Sequence, residues 1–146
     1  MENKLKLTSW IPIQGMKDEY YIHTICDNPD GLKIILGEYN NPKKQLHMTF
    51  TYGAAAYRVT EELLTINLLQ IKDDNNNQKK EQISSEKWFL FKATGSDYLE
   101  WAFKMSNGIS NDLNLIHFVI FTEDQVLEIL NQADPKVEMV EIQFLS

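Results

Sequence analysis

The sequence is poor in residues that cross-link a fold or bind nucleotides. Its one cysteine, Cys26, cannot form an internal disulfide, and a lone thiol predicts a reducing compartment, the cytoplasm. The six glycines are scattered, and none forms a phosphate-binding loop. The first residues lack the apolar core of a signal peptide, and no apolar run approaches the roughly 20 residues that span a membrane. We therefore expect no cofactor, no export and no membrane insertion.

Metal ligands are also poorly arranged. His23 and Cys26 are three residues apart, which places them on opposite faces of a strand, and no second pair follows. The turn from Asp27 to Gly31 resembles part of a calcium loop. With Gly31 as the glycine of that loop, however, the first ligand position falls on Cys26 and the closing position on Gly37. We expect no metal site.

Length and composition predict one folded domain over residues 1–146. The chain is 43% hydrophobic and 24% charged, and a chain of 146 residues buries roughly two-thirds of its unfolded surface without cross-links. No internal repeat or long linker divides it. A polar, low-complexity segment predicts a mobile loop at 72–86.

Charge is distributed unevenly along the chain. The net charge is −7. Residues 95–146 hold nine acids and two bases, whereas residues 1–94 hold twelve of each, so the second segment carries the whole imbalance. An acidic surface repels nucleic acid phosphates and anionic lipids and attracts basic proteins. We expect a basic protein partner and neither nucleic acid nor membrane binding.

Most of the chain has strand character. Residues 45–52 alternate most clearly, with Leu46, Met48, Phe50 and Tyr52 on one face. Residues 63–71 fit both a strand and a helix, and we prefer a strand because the polar segment follows directly. Residues 113–121 are apolar on both faces, which is typical of a central strand. Strands are predicted at 10–14, 20–26, 32–39, 45–52, 63–71, 88–93, 113–121 and 137–145.

Two helices are predicted in the second half. Ser96 or Asp97 can cap the first, which stops at Asn107-Gly108. Residues 122–125 have the pattern of a capping box, and the apolar residues that follow predict a second helix ending at Asp134-Pro135. The predicted fold is therefore α+β: a mainly antiparallel meander followed by a C-terminal β-α-β-α-β unit.

Three side chains are candidates for catalysis or ligand binding. His117 would act as a general base if it met a carboxylate in a pocket, although a buried histidine with a backbone partner is more common. Arg58 beside Glu61 or Glu62 would clamp a substrate, but a structural ion pair is the commoner arrangement. Ser96 lies at a strand-to-helix junction, where helix capping accounts for it.

Several stretches together resemble a known group of proteins. They are Phe50 with 56–62 (AYRVTEE), 96–101 (SDYLEW), 116–122 (IHFVIFT), 126–130 (VLEIL) and 135–138 (PKVE). Over residues 46–140 the chain resembles small uncharacterised bacterial proteins of the kind associated with immunity proteins, which neutralise polymorphic toxins. The resemblance implies protein binding and carries over no catalytic residue.

The sequence therefore predicts a cytoplasmic protein-binding module rather than an enzyme, and specifically an immunity protein that neutralises a basic toxin domain. An exposed Trp101 would be a binding anchor, although acids at helix starts also stabilise the helix dipole without a partner. One alternative is a small-ligand-binding or enzymatic domain with a pocket around His117 and Arg58. Another is a structural subunit with an apolar patch near Ile11 or Phe144. The partner-binding residues predicted on the two acidic helices are Asp97, Glu100, Trp101, Glu123, Asp124 and Glu128.

Overall fold

Strands dominate the protein. A computed structural model describes residues 4–78 and 88–143. Over these residues the strands are β1 Lys6–Ser9, β2 Tyr20–Asn28, β3 Gly31–Glu38, β4 Asn41–Phe50, β5 Ala56–Glu61, β6 Leu90–Thr94, β7 Ile116–Phe121, β8 Gln125–Asn131 and β9 Lys136–Glu141. The helices are α1 Ile66–Gln78, α2 Asp97–Met105 and α3 Ser110–Leu113, and a 3₁₀ turn, Glu62–Thr65, precedes α1.

The strands form two antiparallel sheets. One sheet has five strands in the order β1-β6-β7-β8-β5, and the other has four in the order β2-β3-β4-β9. The predicted α+β class with mainly antiparallel strands is confirmed. Strand β7 lies in the middle of the five-stranded sheet, as its continuous apolar sequence predicted. It begins at Ile116 rather than at 113, because Leu113 ends α3 and Asn114 has a left-handed backbone conformation.

The two sheets share one hydrophobic core. Leu46, Met48 and Phe50 of β4 are all buried, in agreement with the predicted alternation. Tyr52, predicted on the same face, is fully exposed, because β4 ends at Phe50 and a turn follows. The ring of Phe50 meets that of Phe118 on β7 nearly edge-on, with centroids 5.6 Å apart. Because successive strand residues point to opposite faces, His117 faces away from this contact. The side of the five-stranded sheet that carries His117 is covered by α2, whose Tyr98 contacts the His117 ring.

The segment 63–71 was predicted as a strand, and this prediction is wrong. It forms the end of the 3₁₀ turn and the first part of α1. Leu68, Leu69 and Ile71 pack against the core, since helical spacing brings them to one side of the segment. Of the mobile loop predicted at 72–86, residues 72–78 belong to α1, and 79–86 lie outside the described residues.

The prediction of a second helix is also wrong, because residues 125–131 form strand β8. Thr122 makes the local hydrogen bonds expected of a cap, but they close a hairpin turn: its hydroxyl donates to the Gln125 carbonyl at 2.8 Å and accepts from the Gln125 amide at 3.3 Å. Five consecutive buried residues, 126–130, then pair with β7 on one side and β5 on the other. The predicted β-α-β-α-β unit is therefore replaced by β6-α2-α3-β7-β8-β9, with β9 in the other sheet.

The first and last predicted strands are displaced. The first strand is β1, and Trp10 follows it, with its amide donating to the Leu90 carbonyl at 3.0 Å and its ring 5.2 Å from that of Phe118. The last strand, β9, ends at Glu141, and Phe144 lies outside the described residues.

Candidate functional site

A buried polar network on the helix-covered face of the five-stranded sheet contains His117. The His117 side chain is only 1% exposed. It lies opposite Leu130 of β8 in the strand register, so Glu128, two residues away on the same face, is its diagonal neighbour. The two side chains meet, with His117 Nε2 2.9 Å from Glu128 Oε1. Strand alternation and register together thus place a histidine beside a carboxylate.

Arg58 completes the ionic part of the network. It lies directly opposite Glu128 in the β5-β8 pairing, and its Nε donates to Glu128 Oε2 at 2.7 Å. The predicted ion pair therefore exists, but its carboxylate is Glu128, 70 residues away, rather than the adjacent Glu61 or Glu62. The guanidinium of Arg58 also lies 4.0 Å above the ring of Tyr98, so α2 is stacked on the ion pair.

Ser96 joins the network from the strand-to-helix junction. As predicted, it caps α2, because its Oγ accepts the amide hydrogen of Leu99 at 3.2 Å. The same Oγ lies 2.7 Å from His117 Nδ1. Since the ionised carboxylate of Glu128 can only accept, the hydrogen of His117 is assigned to Nε2, which leaves Nδ1 to accept the Ser96 hydroxyl. Each of the three hydrogen bonds that link the Leu99 amide, Ser96, His117 and Glu128 then has one donor and one acceptor.

The junction before α2 requires a glycine. Gly95 has φ +65°, in the left-handed region, and a Cβ built on it would overlap the carbonyl oxygen of Lys4. This close approach to the N-terminal segment fixes where the chain leaves β6. It thereby sets the position of Ser96 over His117.

Electrostatics keep Glu128 ionised. Burial by itself would raise the pKa of its carboxyl, but the hydrogen bonds from His117 and Arg58, together with the charge of Arg58, outweigh burial and hold the pKa below its ordinary value. Burial raises the pKa of the Tyr98 phenol, although Arg58 acts in the opposite direction. At neutral pH the network thus contains a carboxylate held by a histidine and an arginine.

A cleft of about 320 Å³ opens onto this network. Arg58, Ser96, His117 and Glu128 line one part, and apolar side chains that include Leu5, Leu64 and Leu68 line another. His117 and Arg58, which the sequence suggested for one pocket, therefore do line a common cleft. Sequence reasoning missed Glu128 and Ser96 as members, because only strand register and the path before α2 bring them there.

The six residues predicted to form one acidic binding face occupy three different places. Asp97, Glu100 and Trp101 are exposed on α2. Glu123 and Asp124 lie in the β7-β8 turn, at the end of β7 opposite to α2, and a strand of this length separates its ends by roughly 17–20 Å. Glu128 is 3% exposed and lies on a strand. A single face made from two acidic helices does not form, because the second helix is a buried strand.

The α2 and α3 helices do expose a different surface, which we call the α2-α3 surface. Trp101 and Met105 are 47% and 68% exposed, and their spacing of four residues makes them neighbours on the helix. Glu100 and Lys104 form an exposed ion pair at 3.3 Å beside them. We use the name α2-α3 surface for the exposed apolar and acidic residues on and beside these two helices: Asp97, Glu100, Trp101, Phe103, Met105, Ile109, Asp112 and Leu113. Phe103 is two residues from Trp101 and therefore lies on another side of α2.

A groove runs from this surface towards the edge strand β5. It has a volume of about 450 Å³. Its walls include the aromatic rings of Tyr57, Tyr98 and Trp101, and it extends to Asp27. The groove and the polar cleft both include Arg58 and Tyr98, so the two lie on either side of the same stacked pair.

Comparisons with other proteins identify no relative. No protein-family model matches the chain, and no curated protein or solved structure is significantly similar to it. In the part of the chain that the structure describes, no three His, Cys, Asp or Glu side chains gather as a metal site. Over the same residues, none of the helices has the length and apolar character to cross a membrane.

Proposed function

We propose that the protein is a cytoplasmic protein-binding module, and specifically an immunity protein that neutralises a basic toxin domain. The observation that carries this proposal is the α2-α3 surface, where large apolar side chains are exposed beside carboxylates. Exposed apolar patches with polar surroundings are typical of protein interaction sites. The net charge of −7 and the resemblance to toxin immunity proteins support a basic partner.

Trp101 is the expected anchor of the interface. It is half exposed, and its ring rests on that of Tyr98 with centroids 5.5 Å apart, so the exposed indole is supported from beneath. Tryptophan is enriched among the residues that dominate binding energy, where truncation to alanine costs about 2 kcal/mol or more. A partner side chain that enters the groove beside Trp101 would contact Tyr57 and Tyr98 as well.

Carboxylates around Trp101 supply charge complementarity. Asp97 and Glu100 are exposed in the first turn of α2, and Asp112 is exposed on α3. Lys104 is their only basic neighbour on these two helices, and it pairs with Glu100. Exposed carboxylates of this kind accelerate encounter with a basic protein more than they strengthen the final complex.

The buried network prepares this surface for binding. Ser96 caps α2 and contacts His117, and Tyr98 meets the His117 ring nearly edge-on and lies beneath the guanidinium of Arg58. These contacts hold α2 against the sheet before any partner arrives. A preorganised surface loses less conformational freedom on binding, which favours affinity.

The test is binding to the basic protein encoded by the neighbouring gene, measured with both proteins purified. We expect association that weakens between about 50 and 500 mM salt because exposed charges are screened. Trp101→Ala is expected to weaken binding by about 30-fold, whereas Tyr52→Ala, which removes a fully exposed ring after β4, leaves binding unchanged. Absence of any salt-sensitive binding would refute the proposed function.

A charge-matched pair of variants separates steering from anchoring. Glu100→Gln is expected to slow association without changing dissociation, because the carboxylate is exposed. Glu138→Gln is the control, since Glu138 lies opposite His47 on the outer face of the four-stranded sheet. If both variants slow association equally, the charge effect belongs to the whole protein and the α2-α3 surface is not the site of contact.

Protection in cells tests the immunity function itself. Co-expression of the wild-type protein is expected to relieve growth arrest caused by the partner, and Trp101→Ala is expected to reduce that relief in proportion to its lost affinity. Binding without relief would show a protein-binding module that is not an immunity protein.

A further inference from the structure

Helix capping accounts for only part of the environment of Ser96. Capping requires the hydrogen bond from the Leu99 amide, at 3.2 Å. It does not require His117 Nδ1 at 2.7 Å from the same oxygen, or a carboxylate at 2.9 Å from the other ring nitrogen. A hydroxyl, an imidazole and a carboxylate in this order are the groups with which proteins activate an alcohol as a nucleophile.

The carboxylate suits this arrangement chemically. Glu128 is 3% exposed and is held by both His117 and Arg58, which fixes its position. Its acceptance of the Nε2 hydrogen orients the ring and leaves the lone pair of Nδ1 directed at Ser96. The same negative charge stabilises the imidazolium that forms when His117 takes a proton. Glu128 thus acts through His117, as a positioning residue.

The start of α2 supplies groups that stabilise a developing negative charge. Ser96 is the N-cap of this nine-residue helix, and the amides of Asp97 and Tyr98 follow directly. Amides in the first turn have no acceptor within the helix, and the helix dipole makes this end positive. An oxyanion that forms on an atom bonded to Ser96 Oγ would lie next to these groups.

Access is provided by the cleft of about 320 Å³, which Ser96 and His117 both line. Leu5, Leu64 and Leu68 line the same cleft and offer apolar contacts to an alkyl chain. The charge of Arg58 is already paired with Glu128. Asp97 also lines the cleft, and its carboxylate repels anions. The chemistry of the cleft therefore suits a small molecule that carries no negative charge and has an aliphatic part.

We propose that Ser96 is the nucleophile of an acyl-transfer site that hydrolyses short-chain, uncharged carboxylic esters. Its oxygen attacks the ester carbonyl carbon and forms a new carbon–oxygen bond, while its proton moves to His117 Nδ1. The tetrahedral intermediate breaks the bond to the alcohol oxygen, and His117 returns the proton to that oxygen. Water repeats these two steps on the acylated Ser96, which releases the carboxylic acid and restores the serine.

This activity is independent of the proposed protein binding, and its test needs no partner. The full-length protein is treated with a fluorophosphonate probe and, separately, with 4-nitrophenyl butyrate. We expect one covalent adduct per chain, located by peptide mapping on Ser96. We also expect ester hydrolysis that Ser96→Ala and His117→Gln each lower by about 100-fold or more.

Two further variants exclude simpler explanations. Ser106→Ala removes a hydroxyl that accepts the Ser110 amide at 2.9 Å, so it reproduces the loss of a local hydrogen bond without touching His117, and hydrolysis should remain. Glu128→Gln is expected to lower kcat with little change in KM, because it misorients His117 without altering the apolar part of the cleft. Because a smaller folded fraction would also lower the apparent kcat without changing KM, the folded fraction of each variant is measured by circular dichroism and kcat is calculated per folded protein.

If Ser96→Ala fails to fold, peptide mapping of the probe adduct on the wild-type protein still tests the proposal. The proposal is overturned if the probe labels a residue other than Ser96, if no adduct forms, or if Ser96→Ala hydrolyses the ester as fast as the wild type. Any of these results would leave Ser96 as a helix cap alone. They would not bear on binding at Trp101, which is measured separately.

Discussion

Replacement of Glu128 by glutamine tests the buried network most directly. The carboxylate accepts from His117 Nε2 at 2.9 Å and from Arg58 Nε at 2.7 Å. Glutamine has nearly the same shape but offers one acceptor oxygen and one NH₂ group. If the hydrogen of His117 stays on Nε2, the NH₂ group faces one of the two donors and one hydrogen bond is lost. A shift of that hydrogen to Nδ1 would preserve both bonds, but the negative charge that pairs with Arg58 disappears in either case.

The expected destabilisation follows from the burial of each partner. A hydrogen bond to a charged group contributes about 1.5–3 kcal/mol, and removal of one partner from a fully buried ion pair costs about 3–5 kcal/mol. The Arg58 side chain is 48% exposed, so water partly solvates the arginine left unpaired and the lower range applies. We expect Glu128→Gln to lower the free energy of unfolding by about 2–3 kcal/mol and Tm by roughly 4–12 °C.

The pH dependence provides an internal check. The pKa of Glu128 is held below its ordinary value of 4.5, because the hydrogen bonds from His117 and Arg58 and the charge of Arg58 outweigh the opposing effect of burial. The stabilisation by a carboxylate of this kind is complete above the unfolded-state pKa and is lost as pH falls through the lower folded-state pKa. The difference between wild type and Glu128→Gln should therefore be largest near neutral pH and shrink in acid.

Urea unfolding followed by circular dichroism, at neutral pH and in steps towards about pH 3, measures this difference. The control is Glu138→Gln on the outer face of the four-stranded sheet, which should change stability by no more than about 0.5 kcal/mol. The reasoning is refuted if Glu128→Gln behaves like this control at neutral pH, or if its destabilisation is the same in acid.

Two further pairs of variants test the backbone and the core by the same unfolding measurement. Gly95→Ala should cost about 2–4 kcal/mol, because a Cβ at φ +65° overlaps the Lys4 carbonyl, whereas Gly53→Ala, at φ +85° in open space, should cost only about 1–2 kcal/mol. Equal losses would show that the close approach at Gly95 is unimportant. Phe118→Ala should cost about 3–5 kcal/mol, and Tyr52→Ala should change stability by less than about 0.5 kcal/mol. A small loss at Phe118 would contradict its place in the shared core.

Regular alternation and continuous apolar runs predicted strands well. The inward side of β4 and the central position of β7 both followed from the pattern of apolar residues, because burial of apolar surface dominates where such a pattern is long. The cap at Ser96 was also predictable, since its hydrogen bond joins residues three apart in the chain. These three predictions were confirmed, whereas the local capping-box pattern at 122–125 predicted a helix that is a strand.

Segments whose local pattern fits two structures were predicted incorrectly. Residues 63–71 have apolar residues at both strand and helix spacing. The packing of Leu68, Leu69 and Ile71 on the core favours a helix, α1, over a strand. Residues 126–130 fit a helical stripe, but two neighbouring strands provide hydrogen-bond partners on both sides. In each case, the choice depended on neighbours that are distant in the chain.

By itself the sequence determined the α+β class, the central strand, the cap at Ser96 and the acidic balance of residues 95–146. Only the tertiary structure decided where that charge lies and which groups meet His117. Glu128 is not part of the predicted binding face, because β8 is buried between two strands. Its carboxylate instead contacts residues that are 11 and 70 positions away in the sequence. Such contacts depend on strand register, and a shift of one residue would turn Glu128 to the opposite face of the sheet.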